Sequence, residues 1–153
     1  MTEMESAQVE AHLRSIEDLV SDLGSVVTMT HQQFGPAGGH MVSAIPANPR
    51  SLAFSWIWTD EVVFEAGREG GRWELEPTAA DLEFLGDLVA AVVAGRVVET
   101  FAASRSTVAF ALSSGGIVRE TGYGGGLVSL IPLPGWRRWG RRIQYEPYAA
   151  ARR

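Results

Sequence analysis

The chain has 153 residues with 13 basic and 18 acidic side chains, a formal net charge of −5, and neither cysteine nor lysine. These absences exclude disulfides, thiolate nucleophiles, thiolate metal ligands, iron–sulfur clusters, Schiff bases and a P-loop lysine. Apolar residues at 46% and charged residues at 20% permit an unstapled core and argue against disorder. The abundance of alanine, glycine, valine and arginine points to a GC-rich bacterial genome.

The acidic start, Met1-Thr-Glu-Met-Glu-Ser6, lacks the pattern of a secretory signal. The most apolar stretch, Phe84 to Val98, is interrupted by Asp87 and Arg96 and is too short to span a bilayer. A cytoplasmic location is therefore the expectation. Charge is uneven. Residues 137–153 hold six arginines and one glutamate, a balance of +5, whereas residues 1–136 hold seven arginines and 17 acids, a balance of −10. An acidic body does not favour a general nucleic-acid surface.

In chain order, Val9, Leu13, Ile16, Val20 and Leu23 recur at helical spacing, with acids on the opposite side. Thr2 and Glu5 have the spacing of a capping box, and Gly24 is placed to stop the helix. From Ser25 the pattern becomes extended. Val26 to Thr30 is β-branched, residues 35–40 read as a loop, and His40 to Ile45 reads as a strand ended by Pro46 and Pro49. Leu52 to Trp58 alternates: Leu52, Phe54, Trp56 and Trp58 share one face. Thr59-Asp60 turns into Val62 to Phe64. The run from Gly67 to Gly71 turns into Arg72 to Glu76, where Trp73 and Leu75 point inward.

Thr78 reads as the N-cap of a second helix with Asp81 three residues on, a wide apolar face from Leu82 to Val93, and Gly95 at its end. Four strands are then expected at Val97–Ala102, Thr107–Leu112, Ile117–Thr121 and Leu127–Ile131, and a last short one around Ile143 and Tyr145. The expected organisation is a single α+β domain over 1–153. It comprises an N-terminal helix at 1–24, strands at 25–76, a helix at 78–95, strands at 96–145 and a basic tail at 146–153. Strands grouped as hairpins imply a mainly antiparallel sheet of about five to seven strands, packed by the one long helix of the C-terminal half, although the loop and hairpin counts could equally describe two small sheets.

No catalytic motif stands out. Candidates for acid–base or metal chemistry are His31 and His40, which bracket the Gly-Pro-Ala-Gly-Gly loop, with Glu99 as the strand carboxylate expected to face inward beside Val97 and Phe101. No metal or cofactor is expected. There is no Gly-x-Ser-x-Gly elbow, and Gly122 to Gly126 fails the dinucleotide fingerprint because Leu127 occupies the third glycine's place.

Candidate binding residues are Trp56 and Trp58 on one strand face and the segment Trp136, Arg137, Arg138, Trp139, Arg141 and Arg142. Interleaved arginine and tryptophan suit contact with nucleic acid, a membrane surface or an acidic protein. The acidic first helix offers these arginines an intramolecular partner. The leading expectation is a non-enzymatic binding protein, resembling in class the small acidic bacterial proteins that neutralise a toxic enzyme, with a protein partner of basic character. The alternatives are a ligand-binding protein or enzyme using His31 and His40, and nucleic-acid or membrane contact through Trp136–Arg142.

Overall fold

The apolar stripe of the first segment builds helix α1 (Ser6–Ser21), which buries Val9, Leu13, Ile16 and Val20. In this computed structural model, which describes residues 4–36 and 38–150, the N-cap is Glu5, paired with Gln8 in a reciprocal capping box. Thr2 lies outside the described residues. The helix ends at Ser21 rather than at Gly24, which instead opens a 3₁₀ turn over Gly24–Val26.

Five strands follow as an antiparallel meander: β1 (Val27–Phe34), β2 (Gly39–Pro46), β3 (Phe54–Trp58), β4 (Val62–Glu65) and β5 (Arg72–Leu75). Thr78 caps helix α2 (Ala79–Val93) by accepting the Asp81 N–H. Leu82, Leu85, Leu88, Val89, Ala91 and Val92 are buried on it. An apolar surface this wide requires cover on several sides. Helix α2 finds it against α1 and β5, and against the next part of the chain.

That part is a second antiparallel sheet. Strands β6 (Val97–Ala102), β7 (Arg105–Ala111), β8 (Ile117–Tyr123) and β9 (Arg141–Gln144) pair in the order β8-β7-β6-β9. Between β8 and β9 the chain forms a 3₁₀ turn at Leu127–Leu130 and a one-turn helix, α3 (Trp136–Trp139). One core cluster takes residues from α1, α2 and both sheets, and Phe64 of β4 meets Phe110 of β7 edge-on at 6.3 Å.

The expectation of a single sheet of five to seven strands under one C-half helix is therefore corrected to two sheets, of five and four strands, with α2 connecting them in sequence. The cause lies in how β5 and β8 approach each other. The N–H groups of residues 68–72 are used by side chains of the second sheet, so no ladder forms there. Arg68 N donates to Glu99 Oε1 at 2.7 Å. Glu69 N and Gly70 N donate to Ser106 Oγ at 3.1 and 2.7 Å. Gly71 N and Arg72 N donate to Glu120 Oε2 at 2.6 and 3.0 Å. The approach is so close that a Cβ on Gly122 would lie 1.8 Å from the Glu69 carbonyl oxygen.

A second correction concerns Leu127–Ile131, expected as a strand. Gly126, at φ 96°, turns the chain out of β8. The buried Arg105 then draws the Val128 and Ile131 carbonyls inward, at 3.1 and 2.7 Å from Nη2, so they cannot serve a ladder. Among the described residues no helix is long and apolar enough to cross a membrane.

Candidate functional site

Alternation along the second sheet sends Val97, Glu99, Val108, Phe110 and Glu120 toward the core or the 67–71 loop. It sends Val98 and Thr100 of β6, Thr107, Ala109 and Ala111 of β7, Ile117, Arg119 and Thr121 of β8, and Arg142 and Gln144 of β9 to the outer face. Neither α1 nor α2 covers this face; both join the core on the other side. The segment from Gly124 to Gly140 crosses it at one end only, held by Arg105 at its start and by Arg137 at its close. The uncovered remainder is a cleft of about 550 Å³.

The floor of the cleft is made of small side chains: Val98, Thr100, Thr107, Ala109 and Ala111. Its walls carry four arginines, Arg96, Arg119, Arg137 and Arg142, from four different segments. Its lining includes neither a carboxylate nor an aromatic ring. None of the four arginines forms an ion pair among the described residues, where arginine salt bridges join Arg50 to Glu146 and Arg72 to Glu65 and Glu74.

Arg137 is the best anchored of the four. Its Nε donates to Thr107 Oγ1 at 3.3 Å and its Nη2 to Thr121 Oγ1 at 3.2 Å. The two hydroxyls are themselves 2.7 Å apart. The guanidinium also lies 5.0 Å from the ring of the buried Trp136. Arg96 is steadied by a 3.0 Å bond from Nε to the Ala111 carbonyl. An anion entering here meets donors that are partly held in place, which lowers the ordering cost of binding.

The residues singled out from the sequence fall elsewhere. His31 and His40 lie on the same face of the first sheet, diagonal to one another, since His31 pairs with Val42 and His40 with Gln33. They are engaged separately. His31 contacts Glu17 of α1, and the His40 ring stacks on Trp58 at 6.1 Å. Glu99 does face inward and is fully buried, but its contacts are those of a fastener. It accepts from Arg68 N and, at 2.5 Å, from the Tyr145 hydroxyl. Burial, and then the bond to Glu99, push the Tyr145 hydroxyl above its usual range. The structure therefore does not bring His31, His40 and Glu99 together. Among the described residues no group of three or more histidines, aspartates and glutamates could hold a metal.

Trp56 is fully buried in the core and Trp58 half-buried against His40, so that strand face is largely packing. In the late segment Arg137 and Arg142 enter the cleft, Trp136 is buried, and Arg138, Trp139 and Arg141 are exposed. The intramolecular pairing of these arginines with the acidic first helix is absent among the described residues. Sequence reasoning missed Arg96 and Arg119 as site residues. The available signal was the run of small alternate positions Thr107, Ala109 and Ala111; in the structure Ala109 pairs with Arg119.

Comparison of the chain with protein-family models, with curated proteins and with solved structures finds no match.

Proposed function

We propose that this chain is a non-enzymatic binding protein whose recognition surface is the arginine-walled cleft, and that the cleft takes an acidic segment of another protein. The observation that carries this reading is the lining itself: four arginines, no carboxylate, and a floor of small side chains. Like charges gathered around one concavity repel one another and focus the local field, and an anionic ligand relieves that repulsion. The missing aromatic side chains favour polypeptide over single-stranded nucleic acid, whose bases are commonly held by stacking on aromatic rings. A basic partner is the expectation from the acidic body as a whole. The proposal names an acidic one because the concave surface is the cationic one.

Poly-L-glutamate is a suitable probe. Binding is expected at low ionic strength and is expected to weaken as salt is added. Two exposed ion pairs at the upper end of the usual range of about 0.2–1 kcal/mol each, about 2 kcal/mol together, predict roughly a thirtyfold loss for R119Q/R142Q. R50Q, which removes an arginine already paired with Glu146 outside the cleft, is the matched control. Equal binding by R119Q/R142Q and R50Q would rule the cleft out as the recognition surface.

A further inference from the structure

The segment that closes one end of the cleft has a second surface, distinct from the arginine walls. Of the ten large apolar side chains exposed among the described residues, six lie within residues 123–139. Leu127 is 82% exposed, Leu130 75% and Trp139 60%, with Val128 and Ile131 also in solvent. None of these five lines the cleft. They are held outward by the backbone, because the buried Arg105 binds the Val128 and Ile131 carbonyls and Ser129 Oγ closes the turn onto the Gly126 carbonyl at 2.8 Å. Trp139 is fixed from the other side, its indole N–H donating to the Pro134 carbonyl at 3.0 Å. Apolar side chains presented this way on a fixed turn mark a contact surface.

The geometry points to an anionic lipid surface as what this turn meets. Three observations select it. First, the tip is aliphatic. Leucine and valine are under-represented among the residues that dominate protein–protein interfaces, whereas aliphatic side chains enter the acyl region readily. Second, the aliphatic tip is bordered by Trp139 and by the exposed Arg138 and Arg141. Tryptophan favours the headgroup level, and arginines near an anionic leaflet each add attraction. Third, the segment 136–142 that continues from the tip carries four arginines, Arg137, Arg138, Arg141 and Arg142, and no acid, whereas residues 1–136 carry a balance of −10, so an anionic surface attracts this segment and repels the acidic body. The result is contact at the interface by a short apolar turn, without any spanning segment.

The test is co-sedimentation of the full chain with vesicles of phosphatidylcholine alone and of phosphatidylcholine mixed with phosphatidylglycerol. Binding is expected to the mixed vesicles and to fall with salt. Burial of one leucine side chain is worth about tenfold or more in partition, so L127S/L130S, at two exposed positions, is expected to lose at least about tenfold. R138Q/R141Q is expected to weaken binding and to flatten its salt dependence. Tryptophan emission is expected to shift to the blue on binding, and W139F is expected to abolish the shift. The inference is overturned if the wild-type chain stays in the supernatant with the mixed vesicles, or if L127S/L130S binds them as the wild type does. It is equally overturned if a soluble acidic protein binds through Leu127 and Leu130 while vesicles do not.

Discussion

Replacing Gly122 by alanine tests whether the two sheets are held together by the docked 67–71 loop. The added Cβ would lie 1.8 Å from the Glu69 carbonyl oxygen, 2.5 Å from its carbon and 3.0 Å from Gly70 N. All three are backbone atoms, so no side-chain rotation relieves the clash, and the loop must move away from β8. Five hydrogen bonds depend on its position, three of them to the carboxylates of Glu99 and Glu120. At about 1 kcal/mol net for each, and with some recovery through relaxation, the expected loss is about 3–5 kcal/mol. That is a large fraction of the stability of an ordinary domain, about 5–15 kcal/mol. Gly125→Ala is the control: nothing lies within 4 Å of a Cβ there, and its φ is not positive. A glycine in such a setting gains up to about 1 kcal/mol on substitution by alanine, through the unfolded state. Urea unfolding followed by tryptophan fluorescence measures both variants. If Gly122→Ala unfolds at the midpoint of Gly125→Ala, the loop does not fasten the sheets.

Ser106→Ala is expected to destabilise by about 1–3 kcal/mol in the same assay, because the fully buried Oγ accepts from both Glu69 N and Gly70 N and alanine leaves those donors unmatched. A second prediction concerns alkaline pH. The Tyr145 and Tyr148 hydroxyls are both raised above the ordinary value of 10.0, Tyr145 by burial and then by its bond to Glu99, Tyr148 by burial. A raised value means that the native state favours the neutral phenol. The stabilisation is therefore complete below pH 10 and is lost as pH rises toward the folded-state values. Thermal melts between neutral pH and pH 11 are expected to show a decline beginning near about 10 that Y145F/Y148F lacks; an identical decline in the double variant would assign the loss to other groups.

Local pattern made much of the fold legible. The alternation Leu52, Phe54, Trp56 identified β3 and its buried side, and Thr78 with Leu82, Leu85 and Leu88 identified α2, because these signals depend on neighbours within a few residues. Glu99 could be assigned inward from Val97 and Phe101 for the same reason. The choice between one sheet and two small ones stayed open in the sequence, since it depends on whether β5 and β8 exchange backbone hydrogen bonds or meet through side chains. Ser106 and Glu120, which decide that, lie 36 and 49 residues from the loop N–H groups they accept. The cleft was hidden for a related reason. Arg96, Arg119, Arg137 and Arg142 converge only through the β7–β8 and β6–β9 registers and the return of α3. The arginine-rich segment 136–142 drew notice as a local cluster, but half of the cationic wall comes from outside it.

The arrangement follows from how few elements are available to cover two sheets. A sheet face must be packed, or else built of side chains that tolerate water. Helices α1 and α2 join the common core, and the 67–71 loop lies against the inner side of β7 and β8. The outer face of the second sheet is left with the 124–140 segment, which covers only one end. The uncovered positions are accordingly small or hydroxylated, which limits the apolar area in solvent, and the arginines around them keep the face soluble. The same segment is short, and anchoring it consumes Arg105, Trp136 and Arg137. Its aliphatic residues between Leu127 and Ile131 then have no inner surface left to pack against. An apolar tip and a cationic cleft whose arginines form no ion pair among the described residues are thus a single consequence of the fold, and both contacts proposed above rest on the second sheet, away from His31 and His40.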